Sequence, residues 1–234
     1  MPPTPLFLVS AEVRLDAVEV FFRSNRFCIL PFTSQDLHLG CHPVEDLMQP
    51  LPIRSFLRST VPDLGLPHLR FIELAFGPVR MNNALHAQLP DFYNKLTTEV
   101  TFIKEHLHLG RLTLVVHMAD LCHHSAFIPT RAAVPDKVLR RVGTMYEIIG
   151  KRLASLSGLK CFYAFLAEPL RWSIEREAST DEGEELIRDL KSAKEIDMER
   201  LVMGDDYVAV DHGKLQYIQS AWYVKNEGWD EIYG

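Results

Sequence analysis

Apolar residues recur every three or four positions over residues 91–110, where Phe92, Leu96, Val100, Phe102, Ile103 and Leu107 fall on one helical stripe. Asp91 is placed to cap that helix and Gly110 to end it. A longer stripe of Val138, Leu139, Val142, Met145, Tyr146, Ile149, Leu153 and Leu156 predicts a second helix over 136–157, opened by Pro135-Asp136 and closed by Gly158. Residues 179–201 read as an acidic amphipathic helix capped by Ser179, Thr180 or Asp181. Toward the N-terminus the pattern changes. LFLVSAEVRL is partly alternating, and VEVFF and FCILPF are β-branched and aromatic, which predicts two or three strands within residues 5–33.

Between 34 and 67 the apolar clusters are short and are interrupted by Pro50, Pro52, Pro62 and Pro67, which limits any helix there to a few turns. The run LTLVV, within 111–129, fits a buried strand or the start of a buried helix equally well. KCFYAFLAEPLRW is mixed and apolar, and a strand-like patch at 215–217 lies in a polar tail. No internal repeat or low-complexity segment stands out. These patterns predict an α+β fold, helix-dominated with a small N-terminal β-sheet. They describe one globular unit over 1–234, with a β-rich part at 1–40 and a mobile tail at 205–234.

Composition adds limits. A chain of 234 residues, 47% hydrophobic and 24% charged, can bury a sizeable core. Its formal net charge of -6, with no long basic run, argues against nucleic-acid binding by bulk electrostatics. The basic pairs Arg140-Arg141 and Lys151-Arg152 are short and sit on one predicted helix. Cys28, Cys41, Cys122 and Cys161 are widely spaced with no CxxC, which suits reduced thiols better than a disulfide framework. The opening MPPTPLFLVSAEVRLD lacks a basic n-region and a long apolar run, so neither a signal peptide nor a membrane span is expected there.

The chemistry-bearing motifs are mostly absent. There is no GxGxxG, GxxxxGK[ST], GxSxG or HExxH. His117, Cys122, His123 and His124, with His38, Cys41 and His42, have ligand chemistry suited to zinc, but their spacing matches no familiar site and adjacent histidines point to different faces. We expect no metal and no other cofactor, with Cys122 a small core residue. Glu184-Glu185 and Asp205-Asp206 read as solvated charge.

The order RSFLRSTVPDL (54–64), GLPHLRFIELAFGP (65–78) and ADLCHHSAFIPTRAAVPDKVLRRVGTMYEIIGKRL resembles the P-zero silencing suppressors of poleroviruses and enamoviruses, in patches over residues 40–160. That resemblance implies a viral, F-box-like adaptor with no catalysis of its own, acting in the host cell cytoplasm. Its partners would be the plant Skp adaptor of an SCF ubiquitin ligase and host Argonaute, which it directs to degradation. The family's Leu-Pro motif is matched by Leu66, Pro67, Leu69 and Pro78, with one residue fewer before the second leucine and a shortened spacer. In an alternative register, Leu51 and Pro52, the spacing fits better but Ser55 replaces the aliphatic residue.

In the first register, Pro67 suits the first turn of a docking helix, and Leu66, Leu69, Ile72 and Phe76 offer anchors for a partner groove. The same leucines could instead pack within the chain. The F-box-like helical segment would be 42–78, and the target-recruiting part 90–204. In the tail, Gly228 and Trp229 sit among acids, as in flexible Argonaute-binding hooks. Two further readings stay open: a suppressor that binds RNA directly, and a small hydrolase using histidine and cysteine residues in 117–124.

Overall fold

The structure is a computed structural model, and it describes residues 10–29, 52–61, 63–76, 85–118, 136–166 and 193–209. The elements run α1 (Ala11–Ser24), β1 (Phe27–Ile29), α2 (Ile53–Thr60), β2 (Phe71–Ala75), α3 (Leu85–His106), β3 (Thr113–Met118), α4 (Asp136–Leu153) and β4 (Cys161–Leu166). A further helix, α5, is described over 193–203. Every adjacent strand pair is parallel and the sheet order is β1-β2-β3-β4, so each strand lies beside its predecessor in sequence.

This corrects the expected architecture. Helices and strands are both present, but the sheet is not N-terminal; its strands are spread from residue 27 to residue 166 and alternate with helices. Of the expected N-terminal strands, the FCI of FCILPF is one among the described residues, and residues 5–9 and 30–33 lie outside them. AEVRLDAVEVFFRS is helical, started by Ser10, whose side chain accepts a hydrogen bond from Val13 N–H. Here a good cap and an apolar pair at Val18 and Phe22, one turn apart and both buried, outweigh the β propensity of VEVFF.

Alternate strand residues explain the layering. Ile72, Leu74, Leu114, Val116, Met118, Phe162, Ala164 and Leu166 join one core cluster with residues of all the helices, among them Phe22, Leu57, Leu96, Ile149 and Met198. Sequential parallel order explains this, because crossovers of one hand that advance in one direction lay their helices on one face. The close fit needs two glycines. A Cβ on Gly65 would lie 2.6 Å from the Phe22 ring, and one on Gly150 would lie 2.8 Å from Leu201 of α5.

The other face carries a smaller cluster of Val115, Tyr163 and Phe165, with Phe71, Cys161 and Ala209 packed against it. All six residues of β3 are buried, so LTLVV has no polar face to reveal its period.

The outer edge of β4 is sealed by side chains. Glu195 and Glu199 of α5 accept hydrogen bonds from Leu166 N–H and Ala164 N–H, each at 3.0 Å. Tyr207 accepts from Phe162 N–H at 3.1 Å and donates to Phe162 C=O at 2.9 Å. Every second strand residue advances about 6.6 Å, and every fourth helix residue about 6.0 Å, so a helix antiparallel to the strand can serve alternate amides. The amides of Phe162, Ala164 and Leu166 and the carbonyl of Phe162 are thus satisfied by side chains rather than by a strand.

Candidate functional site

Two groups of side chains stand apart from the apolar core. The first is a buried charged cluster on the second face of the sheet. Cys28 and Glu73 are register partners across β1 and β2, and His117 lies toward the carboxyl end of β3. Arg26 Nη2 is 2.9 Å from Glu73 Oε1, and His117 Nε2 is 3.4 Å from Glu73 Oε2. The Glu73 and His117 side chains are nearly inaccessible, at 2% and 0% exposure.

These contacts lack hydrogen-bond alignment: neither Glu73 oxygen nor either His117 nitrogen has a hydrogen-bond partner among the described residues. His117 also stacks on Phe165, with ring centroids 5.0 Å apart and planes 9° from parallel. A carboxylate so placed is tolerable because Arg26 compensates it. Burial, then the charge of Glu73, pushes the Cys28 thiol up to about 12, against a smaller opposing pull from Arg26. Cys28 is therefore a thiol and a poor nucleophile at neutral pH.

The second group lies at the amino end of the strands. A cleft of about 590 Å³ is lined by Arg23, Arg70, Phe71, Gly110, Arg111 and Lys160. Arg23 is in the last turn of α1. Arg70 immediately precedes β2, Arg111 lies two residues before β3, and Lys160 immediately precedes β4. The sheet fixes these backbones. Thr113 N–H donates to Arg70 C=O, Lys160 N–H donates to the carbonyls of Leu109 and Leu112, and Arg111 N–H donates to His108 C=O. Arg70 Nη1 donates to the carbonyls of Pro67 and Leu69, each at 2.8 Å, which holds its guanidinium plane.

No acidic residue lines the cleft among the described residues. The nearby Glu19 is 3.7 Å from Arg23. Arg70 is held below the usual arginine value, first by burial and then by the neighbouring positive charges of Arg111 and Arg23. The cations repel one another in this arrangement, so an anion would relieve a cost already present in the fold.

The residues singled out from the sequence have other places. Leu66 and Leu69, at 5% and 0% exposure, belong to the main core, with Ile72 and Phe76. Leu66–His68 is a single 3-10 turn and Phe71–Ala75 is a strand in the sheet, so the expected docking helix does not form. The anchors that a partner groove would need are occupied inside the chain. Pro67 is exposed. In the other register, Pro52 sits at the N-cap of α2, whose Ile53 and Leu57 are fully buried. Leu51, Pro78, Gly228 and Trp229 lie outside the described residues, as do Cys122, His123, His124, His38, Cys41 and His42.

Among the described residues no group of three or more histidine, cysteine or acidic residues is arranged to hold a metal, and no helix is long and apolar enough to cross a membrane. Sequence reasoning missed the cleft because its cations are separated by 47, 41 and 49 positions, as their numbers 23, 70, 111 and 160 show. One faint signal existed: a basic residue stands one or two positions before each of the apolar runs FIELA, TLVVHM and CFYAFL. No family model, curated protein or solved structure matches this chain.

Proposed function

We propose that the protein is a binding module for a phosphate-bearing ligand, held in the cleft at the amino end of the sheet. One observation carries the reading: four cations from four separate stretches of chain line one cleft with no carboxylate among the described lining residues, in a chain of net charge -6. Glu19 offsets part of the charge of Arg23 from outside the lining, which leaves Arg70, Arg111 and Lys160 with no ion-pair partner among the described lining residues.

Topology names no competing site at the other end of the described sheet. Open parallel sheets place ligands at the carboxyl ends where strand order reverses, and the described strands run β1-β2-β3-β4 with no reversal. The net charge that argues against bulk attraction does not weigh against a local site, because exposed charges beyond about 8–10 Å are screened at physiological salt. The role proposed is binding: the described lining residues offer cationic donors for an anion. An adaptor of the P-zero kind would have to dock through residues other than Leu66 and Leu69.

Inorganic tripolyphosphate tests the site itself. Calorimetric titration should show one binding event that weakens about a hundredfold or more in Arg111→Ala/Lys160→Ala, since each of the two lost charge-assisted contacts is worth about 1.5–3 kcal/mol. Absence of binding by the folded wild type, or equal affinity in the folded double variant, removes the reading.

A further inference from the structure

We infer that the ligand of this cleft is a single strand of nucleic acid, laid across the amino ends of β2, β3 and β4 with a base against Phe71. The inference rests on the phosphate-binding reading above and goes beyond it in naming the ligand class.

The first argument is the arrangement of charge. Arg70, Arg111 and Lys160 lead into three neighbouring strands, so their backbones form a row two inter-strand spacings long, about 10 Å. Arg23, from α1, adds a fourth cation to the same cleft. A compact phosphate group would be recognised by donors converging on one point. A row delivered by successive strands instead suits a chain of phosphates, whose charges recur along its length. A flexible single strand can enter a concave cleft, whereas a duplex presents a stiff, convex surface.

The second argument is the aromatic. Phe71 is the one aromatic among the described lining residues, and it is only partly buried. It packs against the Val115, Tyr163 and Phe165 cluster, which fixes its ring. A fixed ring beside a row of cations is the combination that single-strand binders use: cations follow the backbone and a base stacks on the ring. Phe71 carries no hydrogen-bonding group, so no base preference is expected. Ribose and deoxyribose strands share this chemistry.

Fluorescence anisotropy with labelled oligouridylate and oligothymidylate of about a dozen nucleotides tests the inference, a length within the site sizes of known single-strand modules. Affinity should fall with salt at a log–log slope of about -2.8 if all four cations meet phosphates, at about -0.7 each. Arg111→Ala and Lys160→Ala should each flatten the slope by about 0.7. Phe71→Leu, which keeps apolar packing, should weaken binding roughly fivefold or more with the slope unchanged, because stacking releases no counterions.

A labelled duplex and tripolyphosphate complete the set. Tripolyphosphate binding without oligonucleotide binding overturns this inference and leaves the phosphate site standing. Binding of neither overturns both. Tighter binding of the duplex, or a Phe71→Leu protein that melts like wild type and binds equally well, overturns the single-strand assignment.

Discussion

Replacing Glu199 tests how the edge of the sheet is closed. The side chain is 2% exposed and its Oε1 accepts from Ala164 N–H at 3.0 Å, from a helix rather than a strand. In Glu199→Ala the amide of Ala164 loses that acceptor, and leaving a buried donor unsatisfied costs about 1–3 kcal/mol. Lost packing of the side-chain methylenes adds about 0.8 kcal/mol for each one buried. Relief of the desolvated carboxylate offsets part of this, so the net loss should be about 2–3 kcal/mol. Glu199→Gln keeps an oxygen in place and removes the charge, and should cost less than about 1.5 kcal/mol. Urea unfolding followed by circular dichroism gives both values. Hydrogen exchange supplies the local readout: protection of the Ala164 amide should collapse in the alanine variant and largely persist in the glutamine one. Equal stability of the two variants, or an Ala164 amide equally protected in both, would refute the idea that a side chain of α5 stands in for a neighbouring strand.

Other outcomes follow from the same geometry. Because the folded Cys28 thiol is raised from 9.0 to about 12, it keeps its proton where the unfolded chain loses it; the stability it contributes is full below pH 9 and declines as pH rises toward 12. Urea unfolding should show about 1.4 kcal/mol of loss from this group by pH 10, absent in Cys28→Ala; an identical pH slope in the two proteins would contradict it. The window stops there because Tyr93 and Tyr207, both raised from 10.0 chiefly by burial, begin to contribute at higher pH. Leu69→Ala should cost about 2–5 kcal/mol, since the side chain is fully buried in the core; a change below 1 kcal/mol in urea unfolding would place it outside. On co-expression with a plant Skp adaptor, a Leu66→Ala/Pro67→Ala protein should therefore show lost stability whether or not a complex forms. A complex lost from a double variant as stable as wild type would restore those residues as a docking surface.

The sequence by itself determined the two longest of the described helices. The stripe predicted from 91 became α3, which starts earlier, at Leu85, and runs through Pro90; the stripe from 136 became α4, with Met145, Ile149 and Leu153 buried as spaced. A helix carries its periodicity locally, so residues three and four apart suffice to reveal it. The strands were legible only as apolar runs. A strand in a parallel sheet is covered on both faces and loses the alternation that would identify it, so FIELA read as part of a docking helix and LTLVV stayed ambiguous until the register joined Ile72 to Leu114 and Leu114 to Phe162. Sheet order, the sealing of β4 by Glu195, Glu199 and Tyr207, and the pairing of Glu73 with Arg26 and His117 were decided by tertiary structure alone. So was the basic cleft. Parallel strands begin at one end of the sheet, so residues more than forty positions apart meet there, and no local pattern of a net acidic chain announces that its arginines will share one wall.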